Sequence, residues 1–226
     1  MPDLAQSNVE YKVINQQVYN IQLMDRQVET KIQFVSENPN DATISKYVAL
    51  EHCFSDQECD AIETYFSKVK TMTGEVGGKA VHKATRDSTL RWLRLNEYPD
   101  SVWIYEKIMN HVAQVNAENW QFRLDGFESS IQLTEYEPGG HYTWHQDIGS
   151  RRSGLRKLSV SVQLSDPDTY VGGGLELHAT QKPVLMPRSR GTLVIFPSYT
   201  LHRVTAMTAG MRCALVTWIG GLEAYR

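Results

Sequence analysis

Cysteine is scarce in this 226-residue chain: there are three, Cys53, Cys59 and Cys213. The count is odd and no pair is spaced C-x-x-C, which leaves no basis for a disulfide framework or a cysteine-rich zinc site. A reducing cytoplasm fits that usage best. Long apolar runs are missing too. None approaches the ~20 residues needed to span a bilayer. The opening stretch MPDLAQSNVEYKV has neither the basic nor the apolar segment of a secretory signal. The expectation is a cytoplasmic protein with no membrane association. Charge of one sign is not concentrated either: 23 Lys and Arg face 26 Asp and Glu, for a net −3. That balance argues against a dedicated nucleic-acid binder. One short basic cluster, Arg151-Arg152 with Arg156-Lys157, reads as a solvated loop. Internal repeats and low-complexity segments are absent.

What is present suffices for a sizeable core, since 41% of the residues are hydrophobic. Residues 1–45 are polar and mixed, and form an N-terminal extension. Val13-Ile14, Val18, Ile21 and Leu23 there are candidates for edge strands, and residues 37–41 read as a turn. Ser55 followed by Glu58 is a capping box, and Cys59, Ile62, Tyr65, Phe66 and Val69 then recur at helical spacing. Gly74 to Gly78 breaks that pattern, and the stretch to Arg86 reads as a loop. A second helix is expected from about Ser101 to Val115, with Val102, Tyr105, Ile108, Met109 and Val112 on one face. From Glu128 the texture changes to short strands over 131–136, 158–164, 175–177, 191–197 and 212–219, with Gly and Pro between them. This predicts an α+β, mainly β, barrel or sandwich. Residues 46–226 are expected to be one domain, with helical support over 46–120 and a β core over 121–221.

The chemistry concentrates in His145-Gln146-Asp147. On a strand, residues i and i+2 share a face, so an imidazole and a carboxylate at this spacing can grip one metal from one side. The pair alone is a weak signal, because H-x-D arises often by chance. Its setting strengthens it: a strand and a Gly turn precede it, and His202 follows a second apolar strand. Two histidines and one carboxylate with open positions suit a non-haem Fe(II) site that activates O2. Arg212 opens an apolar strand, where an unpaired guanidinium is costly. It suits a dicarboxylate cosubstrate gripped bidentately; the competing assignment is a structural ion pair with Glu176.

The segments YEPGGHYTWHQD, GGGLELH, LVIFPSYTLHRV and RCALVTWIGG resemble the Fe(II)/2-oxoglutarate dioxygenase superfamily, and within it the prolyl 4-hydroxylase-like group that includes the PKHD-type hydroxylases. FSDQECDAIETYF and NWQFRLDGFESSIQLTEY resemble that group's first helix and its lead-in to the metal strand. The likeness spans about residues 46–221. It implies a double-stranded β-helix (jelly-roll) core buttressed by helices from the N-terminal half. His145, Asp147 and His202 match the iron ligands, and Arg212 matches the partner of the distal carboxylate of 2-oxoglutarate. Tyr136 matches a tyrosine lining the cosubstrate pocket. Gln163 stands where some relatives have a tyrosine that touches the same carboxylate. Trp218 matches an aromatic of the pocket wall; for Trp218 and Tyr142, core packing competes with ligand contact. His52, His82, His111, His141 and His178 match no ligand position.

The cofactors implied are Fe(II), 2-oxoglutarate and O2, with ascorbate as reductant. The activity implied is hydroxylation of an unactivated C–H bond, with release of succinate and CO2, on a prolyl residue of a peptide or protein. A free amino acid, small metabolite or nucleobase is the alternative substrate. A non-enzymatic, cupin-like metal-binding protein is the alternative of another class. Retention of Asp147 argues against halogenation. Residues 74–90 and 148–157 are the expected substrate-facing loops, and nothing in the sequence fixes the oligomeric state.

Overall fold

The computed structural model describes residues 11–14, 17–20, 45–72, 75–76, 79–80 and 83–224. The described chain is mostly β, with two α-helices, α1 (Asp56–Lys68) and α2 (Val102–Asn119). Helix α1 begins where its capping box places it. Ser55 Oγ accepts from the Glu58 N–H at 3.2 Å, and Glu58 Oε2 accepts from the Ser55 N–H at 2.8 Å. Its buried face is Cys59, Ile62, Tyr65 and Phe66, the spacing read from the sequence. Helix α2 runs four residues beyond the expected end at Val115. Asn116 closes it by accepting from the Phe122 N–H at 3.0 Å and donating to Phe122 O at 2.9 Å. Ile104 takes the fully buried place that the periodicity had assigned to Val102, which is only half-buried.

An eight-stranded antiparallel sheet carries the helices. Its order is Val48–Leu50, Leu193–Pro197, Arg156–Gln163, Arg212–Gly221, Ile131–Tyr136, Thr89–Leu93 and Thr71–Met72, with Leu124–Phe127 also paired to the Arg212–Gly221 strand. Facing it is a five-stranded sheet in the order Val184–Leu185, Leu175–Leu177, His202–Val204, His141–His145 and Arg86–Asp87. The larger sheet sorts its side chains by the two-residue period of a strand. Leu158, Val160 and Val162, with Leu133 and Leu215 from neighbouring strands, join Ile62, Phe66, Ile104, Ile108 and Val112 in one core under the helices. The alternate residues Ser159, Ser161, Gln132, Tyr136 and Arg212 turn the other way, into a cavity between the sheets.

The stretch from Gly74 to Arg86 differs from the expected loop. Glu75–Val76 pairs with Lys79–Ala80 as a short ribbon, Arg86–Asp87 joins the smaller sheet, and Thr89–Leu93 is a full strand of the larger one. In the N-terminal extension, Tyr11–Ile14 and Gln17–Asn20 pair with each other rather than edging a larger sheet. Ile21, Leu23, residues 37–41 and His82 lie outside the described residues.

Candidate active site

The smaller sheet puts His145 directly opposite His202, as register partners on antiparallel strands. The strand ends at His145, so Asp147 is not on it, in contrast to the sequence expectation. Asp147 instead lies in the turn just beyond, fixed by its backbone N–H donating to Ser198 O at 3.0 Å. Its carboxylate still meets both rings: Oδ1 is 3.8 Å from His145 Nε2, and Oδ2 is 3.4 Å from His202 Nε2. One ligand atom from each of the three residues lies within 4.8 Å of the others. Each imidazole turns Nδ1 to a backbone carbonyl two residues earlier, Thr143 O at 2.8 Å and Thr200 O at 2.9 Å. A carbonyl can only accept, so Nδ1 carries the proton and Nε2 is left with its lone pair free to bind a metal.

Protonation favours the same state. Burial, reinforced by the charge of His202, drives the His145 pKa down to about 4 against the pull of Asp147. The ring is therefore neutral at neutral pH. Burial opposes the Asp147 carboxylate, but His202, His145, the Ser159 hydroxyl and the Trp218 indole outweigh it and hold its pKa below the usual range. Ser159 Oγ donates to Asp147 Oδ2 at 2.6 Å, and the Ser198 hydroxyl stands 3.0 Å behind it. The Trp218 N–H makes no hydrogen bond of normal geometry, although it is near enough to act on Asp147 electrostatically.

These groups line a cavity of about 410 Å³. Arg212, only 4% exposed, reaches into it from the end of its strand, with its guanidinium 5.6 Å from the Tyr136 ring, its register partner. Its Nε donates to Gln163 Oε1 at 3.0 Å. Gln163 is fixed in turn by donating to Tyr170 Oη at 2.9 Å and Ser165 O at 3.1 Å. Gln163 thus sits behind Arg212 and does not line the main cavity. Glu176 is not the partner of Arg212, because it pairs with Arg203 at 2.7 Å. No carboxylate among the described residues neutralises Arg212. A side chain at Gly173 would meet Met207 and the Arg212 stem, so this left-handed glycine (φ +61°) gives the arginine room.

Tyr142 stacks on His145 with ring centroids 3.5 Å apart, and Phe196 meets His202 edge-on. Tyr142 and Trp218 both line the cavity. Two arginines of this wall carry no readable pattern. Arg156, read from the sequence as part of a solvated loop, lies over Trp218 at 4.0 Å, donates to Asp147 O at 3.2 Å and pairs with Glu128 at 2.9 Å. Arg86 lies over the Tyr142 ring at 4.7 Å. Among the other histidines, His141 bonds backbone oxygens of Gly139 and Ala84, and His178 packs on Trp144.

The family model of the 2OG-Fe(II) oxygenase superfamily matches residues 131–220, the stretch that contains the His–Asp–His cluster and Arg212. This segment belongs to that superfamily. A PKHD-type hydroxylase from Synechococcus elongatus is 38% identical to this chain over 94 residues, which is 40% of this chain and 42% of that protein. Another, from Sphingopyxis alaskensis, is 32% identical over 120 residues, 51% of this chain and 55% of that protein. The matches therefore span about half the length of these relatives or less. The fold of the chain is similar to that of a prolyl hydroxylase from Trichoplax adhaerens solved with a hypoxia inducible factor peptide (TM-score 0.64, 19% identity, covering 77% of this chain and 83% of that one).

Proposed function

We propose that the chain is an Fe(II)- and 2-oxoglutarate-dependent hydroxylase, and that its two facing sheets are the halves of a jelly roll within a single domain over residues 46–226. The observation that carries the reading is the pairing of two groups across one cavity: a three-ligand cluster with both Nε2 atoms turned to it, and buried Arg212 with no acid among the described residues to balance it. Two imidazoles and one carboxylate suit Fe(II) and leave positions open. With 2-oxoglutarate and O2, iron so held supplies an oxidant for an unactivated C–H bond, releasing succinate and CO2.

The protein's part is positioning. His145 and His202 present Nε2 because Thr143 and Thr200 hold their other nitrogens. Asp147 presents its carboxylate because Ser159 and the Ser198 carbonyl fix it. Arg212, oriented by Gln163, takes the distal carboxylate of 2-oxoglutarate, and Tyr136 closes that end of the pocket. The surrounding apolar wall excludes water, which strengthens each of these contacts. A prolyl residue is the proposed target by analogy with structural neighbours described as prolyl hydroxylases. Ascorbate is the proposed reductant.

The test is succinate formation from 2-oxoglutarate by purified protein. It should require Fe(II) and O2, should not be supported by zinc, and should be lost in H145A, D147A and H202A while the variants stay folded. Full activity in all three variants, or no 2-oxoglutarate consumption by the wild type, would reject the reading.

A further inference from the structure

Arg86 is a second buried cation on the cavity wall. It is 8% exposed, and its strand pairs it with Tyr142 of the His141–His145 strand. Its Nε donates to Ser88 Oγ at 2.9 Å and one terminal nitrogen to Gln132 Oε1 at 2.8 Å, both neutral acceptors. Its guanidinium lies 4.7 Å above the Tyr142 ring, which also stacks on His145. The neighbouring acid, Asp87, is 3.9 Å from Lys83 and lies on the opposite side of the strand by the alternation of side chains. Asp147 is the one carboxylate among the described residues that line the cavity.

The charges decide what is missing. Arg156 is met by Glu128. On the hydroxylase reading, Asp147 and the chelating carboxylate of 2-oxoglutarate balance Fe(II), and the distal carboxylate balances Arg212. Arg86 is left over. A buried guanidinium is costly without an anion, and its planar fork matches a carboxylate. We propose that Arg86 determines specificity by binding a carboxylate of the substrate, so that the molecule hydroxylated is one whose reacting residue bears its own free carboxylate. Arg86 and His145 both contact the Tyr142 ring, so this carboxylate sits close to the carbon attacked. A prolyl residue inside a peptide chain, with both neighbours in amide linkage, offers none. The inference rests on the hydroxylase reading and narrows its prolyl target to proline with a free carboxylate.

The experiment is anaerobic titration calorimetry of protein loaded with Fe(II) and 2-oxoglutarate, followed by succinate assays in air. The probes are the free L-amino acids, proline included, their N-acetyl derivatives, the primary amides of both, and a blocked peptide with an internal proline. Acids should bind at least tenfold more tightly than their amides. R86Q should abolish that ratio and R86K should keep part of it, an ordering that a purely structural role for Arg86 would not produce. Preference for free over N-acetylated acids identifies an amino acid as the source, and the reverse identifies a chain terminus; either supports the proposal. Equal binding of acids and amides, an undiminished ratio in R86Q, or binding of the internal peptide alone overturns it. Those failures leave 2-oxoglutarate binding intact. Absence of 2-oxoglutarate binding would instead mark failure of the hydroxylase reading itself.

Discussion

At the scale of single residues, the proposed metal ligands differ from their neighbours in being held rather than merely present. Ser159 shows this most directly: its hydroxyl donates to Asp147 Oδ2 at 2.6 Å from a strand of the opposite sheet. Partners that orient metal ligands are worth about 10–100-fold in metal affinity. S159A is therefore expected to weaken Fe(II) binding by roughly that factor without unfolding the protein, as read by equilibrium titration with Fe(II) under anaerobic conditions. Unchanged affinity would show that Asp147 is placed by its backbone alone. His145, Asp147, His202 and Arg212, which the fold brings to one cavity, were marked in the sequence by their setting among strands and by the family resemblance. Ser159, Arg156 and Arg86 were not, and Gln163 was marked only as a contact of the cosubstrate, not as the side chain that orients Arg212. Each takes its place from a cross-strand or inter-sheet neighbour far away in the chain, and a serine on a strand is otherwise unremarked. Arg156 was misplaced for a related reason. The apolar stem that lets arginine cover Trp218 leaves no mark in a charge pattern.

At the scale of elements, the features that were legible are those with a local cause. Helix α1 follows from its capping box and its 3.6-residue spacing, and the Arg156–Gln163 strand from its alternation. The Thr89–Leu93 strand was missed because its burial does not alternate. Its Arg91 is paired with Glu135 and lies over Phe66, so a charged residue sits where the pattern would want an apolar one. Gly191 tests how far a single backbone position controls these elements. It adopts φ +77°, and a Cβ there would stand 1.8 Å from Phe54 O. Phe54 is fully buried, and its N–H donates to Gly191 O at 3.0 Å, tying the start of α1 to the sheet. G191A combines a disfavoured conformation with a backbone clash. It is expected to cost more than about 3 kcal/mol, against about 1 kcal/mol for loss of the α1 cap in S55A. Urea unfolding of both variants measures the difference. A G191A cost no larger than that of S55A would contradict this account of the junction.

At the scale of the whole molecule, two sheets enclose a cavity in which charged groups are set among apolar side chains, and the helices seal the outer face of the larger sheet. The same burial silences the thiols. It pushes the pKa of Cys53 and of Cys59 to about 11 and that of Cys213 to about 12. Reactivity follows the thiolate, so iodoacetamide at pH 8 should leave all three unmodified in the folded protein and modify all three in urea, as counted by intact mass. Rapid labelling of Cys59 or Cys213 without denaturant would show that the core opens more readily than its packing implies. The central claim is that the cavity holds 2-oxoglutarate between a metal at His145, Asp147 and His202 and the guanidinium of Arg212. Anaerobic titration calorimetry with 2-oxoglutarate addresses it most directly. Fe(II)-loaded wild type should bind, and metal-free protein should bind far more weakly. R212A, having lost one partner of a buried charge pair worth about 3–5 kcal/mol, should bind roughly a hundredfold or more weakly. Equal affinity of wild type and R212A, or binding indifferent to the metal, would contradict the account.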